Sequence, residues 1–180
     1  MEDKKTILIT GIAGFIGFHL AKKLSKSYYI IGLDNLNSYY DINLKIDRLK
    51  ELGIDLDNEN SYFKSSIFDI DFYKIDLNHQ RSLLNLLNNK KIDCVIHLAA
   101  QAGVRYSLIN PKTYIENNIN AFYNVLESMN SASIKNLIYA SSSSVYGTNQ
   151  KIPFEESDMT DNQVSLYAAT KKTNEILAQS

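Results

Sequence analysis

The sequence is poor in cysteine, tryptophan and proline: of its 180 residues one is cysteine, none is tryptophan and two are proline. A single thiol, that of Cys94, cannot form an internal disulfide or build a zinc site with other cysteines. Basic residues number 19 and acidic residues 20, so no positive excess exists to drive sequence-independent binding to nucleic acid. No segment approaches the roughly 18 apolar residues of a membrane span, and the first residues lack the apolar stretch of a signal peptide. We therefore expect a cytoplasmic protein without a nucleic-acid or membrane partner.

What the chain does contain is typical of a globular domain. Hydrophobic residues make up 44% of the chain and charged residues 22%, a balance that excludes wholesale disorder. A length of 180 residues fits one domain, in which folding buries roughly 70% of the extended-chain surface. The three histidines do not cluster with acids at metal-ligand spacing, so we expect no metal site. His97 lies inside an apolar run and is interpreted as a core residue.

Glycine is also scarce, yet three of the seven glycines lie within residues 11–17. Gly11, Gly14 and Gly17 follow an apolar, β-prone run and lead into apolar residues at helical spacing that begin with Phe15 and Ile16. This pattern predicts a strand, a tight turn and a helix N-terminus, where backbone N–H groups can approach a pyrophosphate. The spacing is G-x-x-G-x-x-G and not the commoner G-x-G-x-x-G, so a glycine-rich connection without a ligand remains an alternative.

An acidic residue ends the second predicted strand. The strand covers residues 29–33, and Asp34 comes 20 residues after Gly14 (34 − 14). An acid at this place can accept hydrogen bonds from the adenosine ribose hydroxyls and would repel a 2′-phosphate. Residues 35–37 offer no arginine to bind such a phosphate, which favours NAD over NADP. The alternative is that Asp34 merely caps a loop.

The rest of the chain alternates strand and helix patterns. Further strands are predicted at 72–75, 92–98 and 136–140, helices at 39–52, after Asn78, after Asn110-Pro111 and from about Leu166, and a polar surface loop at 53–66. The charged residues of 41–51 are interpreted as a solvated helix face. The helix after Pro111 should bury one apolar stripe, consisting of Ile115, Ile119, Phe122, Leu126 and Met129. Alternating strands and helices predict an α/β fold with a Rossmann-type, doubly wound parallel sheet.

Candidate catalytic residues follow the last predicted strand. Residues 141–144 are four serines, at the carboxyl end of a strand where open α/β sheets bind ligands. Tyr167 and Lys171 are four residues apart, so on a helix they share one face. The lysine charge favours the phenolate of the tyrosine by electrostatics, which yields a general base from a phenol that ordinarily titrates near 10. A Y-x-x-x-K pair alone could arise by chance, but its order after the glycines, Asp34 and the serines argues against chance.

Taken together, these motifs resemble the extended short-chain dehydrogenases/reductases, and among them the NAD-dependent nucleotide-sugar epimerase/dehydratase family, over the whole chain. The resemblance implies that Ser142, Tyr167 and Lys171 are catalytic. It implies that NAD is bound by Gly11, Gly14, Phe15, Ile16, Gly17, Asp34, Asn35, Asp76, Leu77, Leu98, Ala99, Ala100, Asn117, Tyr167 and Lys171. For the substrate it implies Ser142, Ser143, Ser144 and Tyr167. Arg105 is predicted to lie near the substrate as well, because a guanidinium in the loop after a strand's carboxyl end can pair with the glucuronate carboxylate or a phosphate; a structural ion pair is the alternative.

Within the family, the stretches 33–41, 97–107 and 165–172 resemble UDP-glucuronate 4-epimerases. Family dehydratases carry an acid just after the catalytic serine or threonine, where this chain has Ser143 and Ser144. Epimerisation needs no such acid. The resemblance therefore implies oxidation of a UDP-sugar at C4 by NAD, rotation of the 4-keto intermediate and return of the hydride to its other face. UDP-glucuronate, in polysaccharide biosynthesis, is the expected substrate, and another UDP-sugar the alternative.

Family members run to about twice this length. We therefore expect residues 1–180 to be the NAD-binding Rossmann domain, truncated before the C-terminal substrate-binding domain and inactive or nearly so alone. A non-catalytic NAD-binding module is the alternative. The resemblance also implies a homodimer through helices at 111–130 and 166–180, which carry apolar residues beyond those that one sheet face can cover, among them Phe122, Tyr123, Ile176 and Leu177.

Overall fold

A computed structural model of the protein describes residues 4–57 and 59–180. Within these residues one sheet is formed by β1 (Thr6–Thr10), β2 (Tyr29–Asp34), β3 (Tyr62–Lys64), β4 (Ile70–Lys74), β5 (Cys94–His97) and β6 (Leu137–Tyr139). The α-helices are α1 (Phe15–Leu24), α2 (Ile42–Glu51), α3 (Gln80–Asn89), α4 (Tyr106–Ile109), α5 (Pro111–Tyr114), α6 (Ala121–Ser131) and α7 (Leu166–Gln179). A π-helical segment, Ile115–Asn120, joins α5 to α6, and a 3-10 helix, Ser143–Tyr146, follows β6.

The strand order is β3-β4-β2-β1-β5-β6, and all neighbours pair in parallel except β3 and β4. From β1 the chain builds outward through β2 and β4, then crosses back to place β5 and β6 on the other side of β1. Connections therefore leave the carboxyl ends of β1 and β5 in opposite directions, which opens a crevice where α/β sheets bind ligands. The predicted doubly wound, Rossmann-type α/β fold is confirmed.

Strand β3 corrects the expectation of an irregular loop over residues 53–66. Tyr62, Phe63 and Lys64 pair antiparallel with β4, so the sheet is mixed at this edge. The ring of Phe63 is buried against Phe72 of β4, with ring centroids 6.1 Å apart. One buried residue between two exposed ones is a weak pattern in a sequence, because the strand exists only through pairing with its neighbour.

The core lies on both faces of the sheet because side chains alternate along each strand. On β1, Ile7 and Ile9 pack in the cluster beneath α1 and α2, whereas Leu8 packs in the cluster with α3 and α6. The same alternation separates Ile30 from Ile31 on β2. Helices covering both faces leave the two strand ends open, and the site forms at the carboxyl ends.

The apolar stripe predicted after Pro111 is partly wrong. Phe122 and Met129 are buried as expected, but Ile115 is 39% exposed. The residues that the helix does bury are Tyr114, Asn118, Ala121, Phe122, Val125, Ser128 and Met129. The hydrogen bonds of a π-helical segment span one residue more than those of an α-helix, so the segment shifts the buried face relative to the period of 3.6.

Helix ends follow the sequence at α7 and depart from it at α3. Ser165 caps α7 by accepting a hydrogen bond from the Ala168 N–H at 3.1 Å, as its position before Leu166 leads one to expect. Asn78 does not cap the helix predicted to follow it, because His79 occupies the cap position, without a side-chain bond. The Asn78 side chain donates to the carboxylate of Asp76 instead. In the part of the chain that the structure describes, no helix is long and apolar enough to cross a membrane.

Candidate functional site

The glycine turn brings backbone against backbone at the crevice. Gly11 has φ +74°, and a Cβ there would lie 2.8 Å from the backbone nitrogen of Ala99, just after the neighbouring strand β5. A Cβ on Gly17 would collide with the carbonyl of Gly11, so the start of α1 can sit this close only without a side chain. Gly14 occupies the cap position of α1 and offers no side-chain bond. The first N–H groups of α1 therefore remain available for a phosphate oxygen.

Most residues predicted to bind the cofactor line one cleft beside this turn. The cavity volume of this cleft is about 180 Å³. The predicted residues in its wall are Gly11, Gly14, Phe15, Asp34, Asn35, Asp76, Leu77, Leu98, Ala99, Ala100 and Asn117. Ile16 and Gly17 lie outside the wall: Ile16 is exposed on α1, and Gly17 packs against the turn.

Asp34 is buried at one end of the cleft, and its carboxylate is held by three donors. Oδ2 accepts the Ala13 N–H at 3.2 Å, and Oδ1 accepts the Leu36 N–H at 2.8 Å. The Lys45 ammonium lies 3.3 Å from Oδ1. The bond to Ala13 ties the end of β2 to the glycine turn, so the acid is more than the cap of its own loop.

A second carboxylate, that of Asp76, lies on the same wall of the cleft. It accepts hydrogen bonds from Asn35 at 3.0 Å and from the Asn78 N–H at 2.9 Å. Burial opposes ionisation, but these hydrogen bonds outweigh it and hold the pKa of Asp76 below its ordinary value. Near it are the side chains of His79 and Asn78, yet within residues 4–57 and 59–180 no three His, Cys, Asp or Glu side chains form a metal-binding group.

The predicted catalytic residues come from two elements beside the cleft and do not form its wall. Tyr167 and Lys171 lie on α7, whereas Ser142 precedes the 3-10 helix and accepts a hydrogen bond from the Ser144 N–H at 3.2 Å. Lys171 is 4% exposed, and its ammonium makes no hydrogen bond or ion pair with the described residues. Burial lowers the pKa of Lys171 to about 8. Such a cation is poised to bind a polar group that the chain itself does not supply.

Asn118 couples α7 to the cleft, and sequence reasoning missed it. Its side chain accepts the Gln101 N–H at 2.7 Å and donates to the Gln101 carbonyl and the Thr170 hydroxyl, both at 3.0 Å. The Asn174 side chain donates to the Asn118 carbonyl at 2.6 Å. Because Gln101 lines the cleft and Thr170 precedes Lys171, this buried network sets the position of α7 against the cofactor side. Its neighbour Asn117 had been identified, but the π-helical turn decides which asparagine faces inward.

His97 is a core residue, as predicted. It is 3% exposed, and its Nδ1 lies 2.9 Å from the Thr10 hydroxyl oxygen. That oxygen already accepts the N–H groups of Leu98 and Ala99, so its one proton goes to Nδ1. Burial, together with the charge of Lys171, lowers the pKa of His97 to about 3. The ring is therefore neutral near pH 7 and supports the strand end that forms the cleft wall.

The predicted substrate residues have little contact with the rest of the described chain. Arg105 is exposed in the loop before α4, and no ion pair of its guanidinium occurs within the residues that the structure describes. Ser143 is exposed and Ser144 half-buried in the 3-10 helix. The structural ion pair that was an alternative for Arg105 is thus not formed with these residues.

Two cations of α2 were assigned wrongly to a solvated helix face. Lys45 is 5% exposed and lines the cleft. Arg48 donates to the Ala13 carbonyl at 3.2 Å and lies over the rings of Phe15 and Tyr40, each 5.9 Å away. A signal was available in the sequence, since Lys45 precedes the buried Leu49 by four residues and therefore shares its face.

The fold and the cleft define a dinucleotide-binding α/β protein. Residues 7–180 match the model of the NAD dependent epimerase/dehydratase family. The chain belongs to that family, and its cofactor is NAD. The resemblance stated from the motifs is confirmed.

Relatives and solved structures agree with this assignment. Protein CapI of Staphylococcus aureus is 51% identical over 96% of this chain and 48% of that protein. UDP-glucuronate 4-epimerase 4 of Arabidopsis thaliana is 44% identical over 96% of this chain and 37% of that protein. UDP-glucuronic acid 4-epimerase from Bacillus cereus, solved with UDP-glucuronic acid and NAD, has a TM-score of 0.80 at 32% identity and covers 97% of this chain and 51% of that one. The chain thus spans about half the length, or less, of these proteins.

Proposed function

We propose that this chain serves the reversible C4 epimerisation of a UDP-sugar, with UDP-glucuronate and UDP-galacturonate as the two partners of the reaction. The observation that carries the proposal is the pairing of Tyr167 and Lys171 on α7 with a serine, Ser142, that no acid follows. Elimination of water requires such an acid, whereas epimerisation does not. Relatives named as UDP-glucuronate 4-epimerases support the choice of sugar.

The chain's residues divide the chemistry as follows. NAD, when bound, would supply the reversible hydride acceptor that oxidation and reduction at C4 require. Tyr167 removes the proton from O4, and Ser142 donates a hydrogen bond that orients the same oxygen. The Lys171 ammonium, on the same face of α7 as Tyr167, would bind hydroxyl groups of the dinucleotide. The Lys171 ammonium, which has no partner among the described residues, and the glycine turn, where a Cβ on Gly11 or Gly17 would collide with backbone, both fit a dinucleotide.

Residues 1–180 are, in this proposal, the NAD-binding Rossmann domain of the enzyme. The sugar and uridine are then bound mainly by sequence that relatives carry beyond the region matched here, and a cytoplasmic role in polysaccharide biosynthesis is the expected setting. Without that sequence, remote binding energy cannot position the sugar at Tyr167. The chain alone should then bind NAD without appreciable turnover.

The test joins this chain to the C-terminal half of the Bacillus cereus enzyme. The chimera should interconvert UDP-glucuronate and UDP-galacturonate, and Tyr167→Phe should lower kcat by roughly 10³-fold with NAD binding unchanged. Tyr28→Phe, a tyrosine before the amino end of β2, is the matched control and should retain activity. A chimera that binds NAD but turns over only another UDP-sugar would replace the substrate and keep the mechanism.

A second candidate function rests on the half-length match. As an NAD-binding module without catalysis, the chain would bind NAD by itself and stay inactive in the chimera. Turnover that depends on Tyr167 excludes this candidate.

Arg105 is proposed to bind the glucuronate carboxylate or a phosphate of the substrate. Its exposure after the carboxyl end of β5 and the lack of an ion pair with the described residues support this role. A guanidinium binds either anion through two parallel hydrogen bonds. In the chimera, Arg105→Ala should raise KM for UDP-glucuronate and leave kcat nearly unchanged. An unchanged KM contradicts the assignment.

A homodimer through α6 and α7 is proposed as well, with one correction. Tyr123 and Ile176 are 48% and 57% exposed and can meet a second copy. Phe122 cannot, because its ring is fully buried, 5.2 Å from that of His97 and 5.3 Å from that of Tyr139. Light scattering should give twice the chain mass, and Ile176→Glu should give the monomer.

A further inference from the structure

The Asp34 end of the cleft contains a buried cation that the family assignment does not explain. The Lys45 ammonium lies 3.3 Å from Oδ1 of Asp34 and 3.0 Å from Oδ1 of Asn37, and it sits 5.2 Å from the centre of the Tyr40 ring. The side chains of both Lys45 and Asp34 are 6% exposed. Both residues line the cleft, so any group bound at Asp34 also meets the charge of Lys45.

The hydrogen bonds of Asp34 show which of its oxygens is free. A carboxylate oxygen accepts about two hydrogen bonds. Oδ1 already accepts from the Leu36 N–H and the Lys45 ammonium, whereas Oδ2 accepts only from the Ala13 N–H. One acceptor position therefore remains on Oδ2 for a ribose hydroxyl. The charge of the carboxylate, in contrast, is offset by a cation in direct contact.

We propose that Lys45 is a cofactor-specificity residue whose charge offsets that of Asp34 at the adenosine ribose. The chain then selects NAD mainly through the hydrogen bond that Asp34 Oδ2 accepts from the ribose, and only weakly through repulsion of a 2′-phosphate. Arg48 lies about one helical turn after Lys45 on α2 and donates a hydrogen bond to the Ala13 carbonyl in the glycine turn. Its charge adds to the positive charge at the Asp34 end of the cleft. The proposal rests on NAD binding in the cleft and is independent of the sugar.

Removal of the Lys45 charge should raise the preference for NAD. Asp34 then faces the cleft without a counter-charge, and a 2′-phosphate is repelled more strongly. Lys45→Met should lower the affinity for NADP by roughly tenfold and the affinity for NAD by less than about threefold. A loss of about 1.4 kcal/mol of attraction corresponds to a tenfold change in affinity. Added salt should narrow this difference, because mobile ions screen the repulsion.

The experiment is calorimetric titration of the 180-residue chain with NAD and, in competition, with NADP. Lys45→Gln removes the charge but keeps a hydrogen-bond donor, and it should change the two affinities as Lys45→Met does. It provides the same test if the methionine variant fails to fold. Lys45→Arg should restore the ratio of the parent chain. Lys50→Met, an exposed lysine of the same helix, is the matched control and should leave the ratio unchanged.

Several outcomes would overturn the inference. Equal weakening of both cofactors indicates a purely structural role for Lys45, and greater weakening of NAD than of NADP indicates that Lys45 only positions Asp34. Failure of millimolar NADP to displace NAD from the parent chain also contradicts it, because a ribose end with offset charge should admit a phosphate. A parent chain that does not bind NAD at all overturns the proposed function and this inference with it.

Discussion

The Asp34 end of the cleft and its Lys171 side satisfy their charges in opposite ways. Asp34 and Asp76 are bound by donors from the chain itself, including the Lys45 ammonium and the Asn35 amide. Lys171 is equally buried, yet it has neither a hydrogen bond nor an ion pair with the described residues. The difference indicates that the hydrogen bonds and the ion pair at the Asp34 end form before a ligand binds, whereas the Lys171 ammonium is left to bind a ligand.

The burial of the Lys171 charge is unfavourable in free energy. Most of the Lys171 side chain is removed from water, and this burial lowers the pKa of Lys171 to about 8. The Asn118 network holds α7 in place all the same, through Thr170 and Asn174 on either side of the lysine. Packing around Lys171 thus stabilises a side chain whose own burial is unfavourable.

Lys171→Met gives the largest expected effect on stability and tests directly whether the buried charge of Lys171 destabilises the folded chain. The pKa of a free lysine is near 10.5 and that of Lys171 about 8. Below pH 8 the lysine is charged in both the folded and the unfolded chain, so the folded chain bears the full penalty. Without NAD, the variant should be more stable at pH 7 by about 3 kcal/mol in the free energy of unfolding.

The stability advantage of Lys171→Met should depend on pH. As pH rises from 8 to 10.5, the folded chain releases its Lys171 proton before the unfolded chain does, so the parent chain gains stability and the advantage of Lys171→Met disappears. Urea unfolding at pH 7 and pH 10 measures both. Lys172→Met, one residue on and less buried, is the control. An advantage that is the same at both pH values would show that the methionine merely packs better.

Gly17→Ala has the next largest effect and tests how tightly the glycine turn packs against the start of α1. The added Cβ would collide with the carbonyl of Gly11, so α1 or the turn must shift. We expect a loss of roughly 2 kcal/mol in the free energy of unfolding, with weaker NAD binding. Gly14→Ala is the comparator, since its Cβ would meet the same carbonyl at 3.0 Å. Thermal unfolding and calorimetry should rank Gly17→Ala as the more harmful, and the reverse order would contradict the geometry of the turn.

Asp34→Ala gives the smallest of these effects, about 1.4 kcal/mol in the difference between the binding free energies of NAD and NADP, and tests the Asp34 end of the cleft. The substitution removes the acceptor for the ribose hydroxyl and also a negative charge near a 2′-phosphate. NAD should therefore weaken more than NADP, with the ratio of the two affinities falling by roughly tenfold, the value of about one charge-assisted hydrogen bond. Competition titration measures that ratio. Tighter binding of NADP than of NAD by the parent chain would contradict the preference predicted from Asp34.

Much of the cofactor end could be predicted because its chemistry is local. The glycines of the turn lie within seven residues of one another, and the strand before them and the helix after them have clear periods. Asp34 follows the next strand at the spacing that a βαβ unit imposes. The pair on α7 is one helical turn apart, so their common face follows from the sequence alone.

The sequence by itself therefore determined the strand-turn-helix that meets NAD, the acid at the second strand end and the Tyr167–Lys171 face. The tertiary structure decided what surrounds them: that Lys45 is buried against Asp34, that Asn118 and not its neighbour joins α7 to the cleft, and that Lys171 has no partner within residues 4–57 and 59–180. The physical reason is distance along the chain. Asn118 and Thr170 are 52 residues apart and Thr10 and His97 are 87 apart, and contacts of this kind exist only after the two faces of the sheet have packed.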